Sequence, residues 1–503
     1  MLGQPMILLG ADRDTRTEEG RSYCDMGKLV NPAKWTMLPG TAELIRKLGD
    51  EGSRAVDLSG AAMAQEWTLP IMVGFFPIED FREQIFMSPK SLFRDIPVAV
   101  RPVAARAAIK LFETVGKWGD AMVNYVVPPG PVNCARMKLR VWMLLHAFPF
   151  LCLQRWEGMR RKTKETARIL TNRILRYVAG DFGTLYEEAM IQSRVNAEAA
   201  EKRKRERADA AMGSDDAVQQ GRTLVFDQHL RDGENSKAMK EAMRNGGGYQ
   251  NTLKPETERL FHEKLKKGDL PDAARVEACM ADLRSKGMYF KCDARQLRKV
   301  LNKMGRAKGP GLSGWRYAHL KNMRSGAGKW LRAFEDAMVL PVNLYLKGGL
   351  VRTLSPFLIG GVGGIQDTRR VFSAADTFVR MADSWAQGRA VEMYTRHALF
   401  PFNLGVGKRA ARESLMVWVQ SCIRKHEGVS DMVVLEVDAW NMFFEISRER
   451  ILEEVWRRAP MLYPLVAHLA APQFIVFFQG KSKEEISAGI NWVGNCIFCS
   501  VSR

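Results

Sequence analysis

A chain of mixed strands and helices, mainly α-helical in its N-terminal half, is predicted by three features of the 503-residue sequence. Val433 to Val437 is a short, mostly apolar run that ends in a carboxylate at Asp438, and Ser447 then opens a run of charged and apolar residues at helical spacing. The order is strand, acid, turn, helix. Gln473 to Gln479 (QFIVFFQ) is a run of β-formers followed by a Gly480-Lys481-Ser482-Lys483 turn and a return segment, Glu485 to Ile490, which predicts a hairpin. Ala135 to Ala200 instead carries apolar residues at helical spacing, as at Ile169, Leu170, Ile174, Leu175 and Val178.

Residues 1–134 have short apolar patches such as Ile71 to Ile78, punctuated by Pro39-Gly40 and Pro128-Pro129-Gly130-Pro131, and suggest no chemistry. Residues 135–212 read as packing helices, interrupted at Pro149 and stopped at Gly180, and end in the charged segment EKRKRERADAA. That segment reads either as a solvated helix or as a basic localisation or RNA-contacting patch. Residues 213–251 are polar, include Gly246-Gly247-Gly248, and read as a linker. The remaining unit, 252–503, begins with two short helices between Ala273 and Met304. A basic, glycine-rich turn follows (Lys308-Gly309-Pro310-Gly311) and leads through Ser313-Gly314 into a helix holding Trp315 and His319.

Glycine lets backbone approach a phosphate and lysine supplies charge, so this turn, with Arg306, Lys308 and Arg316, is a candidate nucleic-acid contact. His319 reads as a packing or capping residue. Ile359 to Gly364 (IGGVGG) matches neither the dinucleotide nor the P-loop pattern and reads as a hairpin tip. Arg369 and Arg370 beside it are either a triphosphate grip or surface charge. Helices are expected at about Ala374 to Gly388 and at Glu413 to His426.

The chain holds 76 Lys plus Arg against 56 Asp plus Glu, for a net charge of +20 spread along its length. This favours a polyanionic partner such as nucleic acid, the alternative being a basic protein with no such partner. The longest nearly apolar run, Val141 to Leu153, is too short to span a bilayer, and the first residues lack a basic leader before an apolar patch. Neither a membrane span nor a signal peptide is expected. Eight scattered cysteines fit reduced thiols in an intracellular protein, nuclear or cytoplasmic. Cys496 and Cys499 lack a second ligand pair at suitable spacing and read as small core residues. Asp438 has two readings of its own: a hard oxygen ligand held on a strand end for a divalent cation, or a turn former or helix cap.

Four pieces in this order resemble the reverse transcriptase domain of non-LTR retrotransposons, across roughly residues 290 to 500. KGPGLSGWRYAHL is similar to the A-x-G-P-S-G entry to the fingers, RRVFSAADTFVRMA to the R-P-I segment, PFNLGVG with Glu413 to P-x-Q-x-G-V-G, and VLEVDAWNMFFEISRERILEEV to motif A. The resemblance implies an α/β (α+β) fold of polymerase fingers and palm, with RNA template and DNA primer as partners and Mg²⁺ or Mn²⁺ as cofactor. Asp438 would be the metal-binding, catalytic aspartate, Phe443 the gate under the incoming sugar, Arg370 a triphosphate contact, and Gly494 part of motif B.

The departures are equally specific. Val371 stands for proline in R-P-I and Asn403 for glutamine in P-x-Q; Val493 and Asn495-Cys496 stand where motif B has glutamine and its Asp-Pro pair. No Y-A-D-D-like motif C occurs up to Arg503, which leaves an incomplete palm sheet, and a two-cation site with one acid lacks a holder for its second ion. The expectation is therefore a chain of RNA-directed DNA polymerase ancestry that does not polymerise on its own. The alternative is a non-catalytic nucleic-acid-binding retrotransposon remnant.

Overall fold

The computed structural model of the chain describes residues 6–9, 78–124 without 89, 134–155, 164–211, 226, 271–349 without 307, 358, 364–365, 371–372, 375–398, 411–429, 447–470 and 474–477. In chain order these give β1 (Met6–Leu9), α1 (Arg82–Met87), α2 (Arg101–Asn124), α3 (Cys134–Cys152), α4 (Lys164–Val178) and α5 (Phe182–Ala211). Then come α6 (Ala273–Ser285), α7 (Ala294–Lys303), α8 (Tyr317–Gly326), α9 (Leu331–Leu346), β2 (Gly364–Ile365) and β3 (Val371–Phe372). The series closes with α10 (Thr377–Ala398), α11 (Ala411–Lys425), α12 (Arg448–Arg458), α13 (Tyr463–Ala470) and β4 (Phe474–Phe477).

The predicted α/β fingers and palm is corrected by this architecture. Helices dominate the described residues, and the strands among them are short segments in two separate antiparallel pairs. The expected strand at Phe474 forms, but β4 pairs with β1, Met6 opposite Phe477, rather than with a palm strand. The other pair, β2 with β3, is two residues long on each side. Val433 to Val437, the expected palm strand, lies outside the described residues, as does the return segment Glu485 to Ile490.

The reason is visible in the spacing of the apolar side chains. On α2, Ala104, Ala107, Ala108, Leu111, Phe112 and Val115 recur at three- and four-residue intervals and are all buried. That stripe covers one face of a helix, and its partners are also helices: α2 packs along α9, α3 and α8. Phe148 and Trp315 stack at 5.4 Å between centroids, and Phe112 meets Phe378 edge-on at 5.7 Å. A helix-on-helix core of this kind buries its apolar faces without a sheet. It also crosses the expected divisions at 134 and 251, because buried residues of α2 to α5 and of α7 to α10 form one cluster. A smaller cluster joins α6, α12 and α13 through Val276, Leu283, Leu452 and Val466.

Local signals set the helix ends. Asp293 caps α7 by accepting from the Gln296 amide at 2.7 Å, while the Gln296 side chain accepts the Asp293 amide at 3.2 Å. Ser447 accepts from the Arg450 amide and opens α12, as its position predicts. Gly180, at φ +88°, ends the turn after α4. Pro149 behaves differently from expectation, since α3 runs through it to Cys152. A proline here leaves the Leu145 carbonyl without its helical partner. The Trp315 indole N–H supplies the missing donor at 2.8 Å. A distant tryptophan thus repairs the break that the sequence predicts.

Two sets of buried charges follow different rules. Glu79, fully buried, accepts from Arg140 Nε at 2.7 Å and from Arg136 Nε at 2.9 Å. Removing one partner of a buried pair costs more than the pair itself contributes. Glu79→Ala is expected to lower unfolding free energy by about 3 to 5 kcal/mol in urea titrations, and Glu79→Ala/Arg140→Met to recover most of it.

His146, His319 and His468 are pushed down to about 4, chiefly by burial. Their unfolded forms take up protons near pH 6.5, so the stability they contribute is full above that pH and is lost as pH falls through about 4. Asp383, raised to about 8 by burial, works in the opposite sense, as do Asp80, Glu113 and Glu187, whose carboxyls burial also raises. Between pH 7 and pH 5 the urea midpoint of a His468→Gln variant should therefore fall less, or rise more, than that of the unsubstituted protein; an equal change in both contradicts a neutral, buried His468.

Candidate nucleic-acid interface

The basic turn that the sequence singles out is built around a buried polar clasp. Ser313 Oγ donates to Asp376 Oδ2 and accepts the Trp315 amide at 3.2 Å. Asp376 Oδ1 accepts the Phe378 amide at 2.9 Å and so caps α10, and Thr377 Oγ1 donates to the Trp315 carbonyl at 2.6 Å. His146 Nδ1 lies 3.8 Å from Asp376 Oδ2, and its Nε2 meets the Tyr345 hydroxyl at 2.9 Å. Ser313, His146 and Asp376 are all fully buried. A serine, histidine and aspartate so enclosed join three parts of the core rather than meet a substrate.

The glycines of the turn divide into two roles. A Cβ on Gly311 would lie 2.8 Å from the Asp376 backbone N and Cα, so this glycine admits the start of α10. Gly314 adopts φ +86°, and a Cβ there would stand 2.4 Å from Leu92 Cδ1. Close approach to protein, and not to phosphate, accounts for both. Gly309 faces open space, and its carbonyl accepts from Arg380 Nη2 at 2.7 Å. The inner half of the turn is therefore core, and its outer half is surface.

Arg306, Lys308 and Arg316 flank that outer half. Arg306 donates to Asn322 Oδ1 at 2.6 Å and lies 3.8 Å from Asp95. Lys308 is exposed, with Nζ 3.7 Å from Met304 Sδ. Arg316 is half-buried, and its Nε meets no hydrogen-bond acceptor. Burial, together with the neighbouring Arg94 and Arg380, pushes the Arg316 guanidinium below its usual range, against the pull of Asp95. Lys321 is pushed down too, by burial and then by Arg306. The Arg380 guanidinium lies 5.1 Å from the Tyr317 ring centroid. Like charges are thus held near one another around a single aspartate.

The positive charge is also more concentrated than its spread along the chain suggests. Residues 294–332 contain Arg295, Arg298, Lys299, Lys303, Arg306, Lys308, Arg316, Lys321, Arg324, Lys329 and Arg332 and no aspartate or glutamate. This unbroken run was legible from the sequence. What folding adds is the face. Leu297 and Leu301 turn α7 toward the core, which leaves Arg295, Lys299 and Lys303 exposed one helical turn apart on the opposite side. The stripe is about 12 Å long. Among the described residues, none of the three makes a hydrogen bond or an ion pair. Glu335, at the start of α9, joins the neighbouring parts of the surface by accepting from Arg298 at 3.4 Å and from Arg324 at 2.7 Å.

His319 occupies the packing role that its helix suggests: fully buried, its Nε2 bonds the Phe93 carbonyl at 2.7 Å. The residues attached to polymerase chemistry, Asp438, Phe443, Arg370 and Gly494, lie outside the described residues. Among the described residues no group of three or more His, Cys, Asp or Glu side chains is placed to hold a metal ion such as Mg²⁺ or Mn²⁺. No described helix is long and apolar enough to cross a membrane. No protein-family model, curated protein or solved structure matches the chain.

Proposed function

We propose that this chain is a nucleic-acid-binding protein whose contact surface is α7, the turn after it, α8 and the start of α9. The observation that carries this reading is the row of Arg295, Lys299 and Lys303, exposed and unpaired within a 39-residue stretch, 294–332, that has eleven cations and no acid. Like charges one turn apart on a helix each cost a few tenths of a kcal/mol. A ligand with regularly spaced negative charge removes that cost and releases its own counterions on binding. Arg306, Lys308 and Arg316 extend the same surface toward the turn, and the clasp under Ser313 fixes their backbone before a ligand arrives. Fixed cations lose little conformational entropy on binding.

The resemblance of roughly residues 290 to 500 to the reverse transcriptase domain of non-LTR retrotransposons supports the same class of partner, RNA or DNA. Binding through phosphate contacts requires neither the palm sheet nor a metal.

In an Arg295→Gln/Lys299→Gln/Lys303→Gln variant, the plot of log affinity for nucleic acid against log salt concentration is expected to lose about 2 to 3 units of slope. Its thermal melt should equal or slightly exceed that of the unsubstituted protein, because the three exposed side chains make no hydrogen bond or ion pair and their mutual repulsion is removed. An unchanged slope would show that these residues do not meet phosphates and would overturn the reading.

A further inference from the structure

Trp330 is an exposed aromatic that the core does not account for. It lies between Lys329 and Leu331, where the turn after α8 enters α9, and is 46% exposed. Lys329 Nζ stands 5.6 Å from its ring centroid, and the ring makes no contact with another described aromatic. Among the described residues, two other tryptophans are largely exposed and have different surroundings. Trp418 sits among exposed apolar residues of α11, and Trp456 packs edge-on against Tyr463 at 5.3 Å. Trp330 alone of the three falls inside the acid-free run.

It also sits at the edge of the same basic surface. Trp330 caps α9, and Glu335 in the first turns of α9 bridges Arg298 of α7 and Arg324 of α8. Lys329 stands beside the ring, and Arg332, two residues on, has an almost fully exposed side chain 3.9 Å from Asp336. α8, from Tyr317 to Gly326, covers about 15 Å, a length that a few unpaired nucleotides span.

We infer that the surface selects unpaired nucleic acid, with Trp330 as the platform on which a base stacks while the cations of α7 and α8 hold its phosphates. This deepens the nucleic-acid reading above and rests on it. The physical basis is access. In a duplex the faces of internal bases are covered by their neighbours, whereas in a single strand a base turns out and lies flat on an indole. Stacking of this kind is indifferent to sequence, because every base has such a face. The Lys329 ammonium beside the ring adds a contact for the phosphate of the stacked nucleotide.

The test uses the full chain, an oligouridylate dodecamer, an RNA duplex of the same length and fluorescence anisotropy. Trp330→Ala should weaken the single strand about tenfold. It should leave duplex affinity and the salt slope unchanged, and Trp330→Phe should retain most of the affinity. Single-strand binding equal to that of the unsubstituted protein, or an equal loss on single strand and duplex, overturns the stacking role. The Arg295→Gln/Lys299→Gln/Lys303→Gln variant separates the two levels. If it lowers the salt slope while Trp330→Ala changes nothing, only the stacking proposal falls; if its slope is unchanged, the charged-surface reading falls as well.

Discussion

The hydrogen bond from the Trp315 indole to the Leu145 carbonyl holds together parts of the chain that have no local reason to meet. Pro149 deprives that carbonyl of its partner, and a buried carbonyl left bare costs about as much as a lost hydrogen bond. Trp315 satisfies it at 2.8 Å and, in reaching it, stacks on Phe148 and brings the whole Ser313 to Tyr317 turn against α3. Asp376 then takes Ser313 and caps α10 in the same place. Trp315, Ser313 and Asp376 thus satisfy buried polar atoms of one another and of their neighbours, which ties the turn to α3 and to α10.

The rigidity of the turn has an electrostatic consequence. Arg316 follows Trp315 directly, and Arg380 is held by its bond to the Gly309 carbonyl, so the turn keeps the two guanidiniums near enough for their like charges to oppose each other. Elsewhere in the molecule arginines are neutralised: Arg140 by Glu79, Arg176 by Asp181 and Glu188. The face formed by α7 and α8 has the cap Asp293 at its margin, together with Glu335, Asp336 and Asp95, which meet Arg298, Arg324, Arg332 and Arg306. Arg295, Lys299 and Lys303 are left exposed between them, where an anionic polymer removes their repulsion.

The likeness to reverse transcriptase motifs and the observed helices part company for identifiable reasons. A motif such as KGPGLSGWRYAHL carries glycines that suit phosphate approach, yet here Gly311 and Gly314 make room for Asp376 and Leu92. Glycine reports that something comes close; it does not report what. The β-forming run at Phe474 does form a strand, but a strand's partner depends on a long-range pairing, and here it is Met6–Leu9. Serine, histidine and aspartate converge at Ser313, His146 and Asp376, but their complete burial makes the group structural. In each case the residue type was informative and its surroundings decided the role.

Helix signals act over three or four residues, and so the sequence by itself was sufficient for the capping of α7 by Asp293 and Gln296, the start of α12 at Ser447, the stop at Gly180 and the amphipathic stripes of α2 and α7. It also contained the acid-free stretch from 294 to 332 in full. Only the tertiary structure decided that Pro149 stays within a helix, since the donor that makes this possible lies 170 residues away. It likewise decided that Arg295, Lys299 and Lys303 face solvent together while Arg298 and Arg324 share Glu335, because which side of a helix is buried depends on the neighbour it packs against. Charge was written in the chain; whether it was spent on an internal partner or left for a ligand was settled by packing.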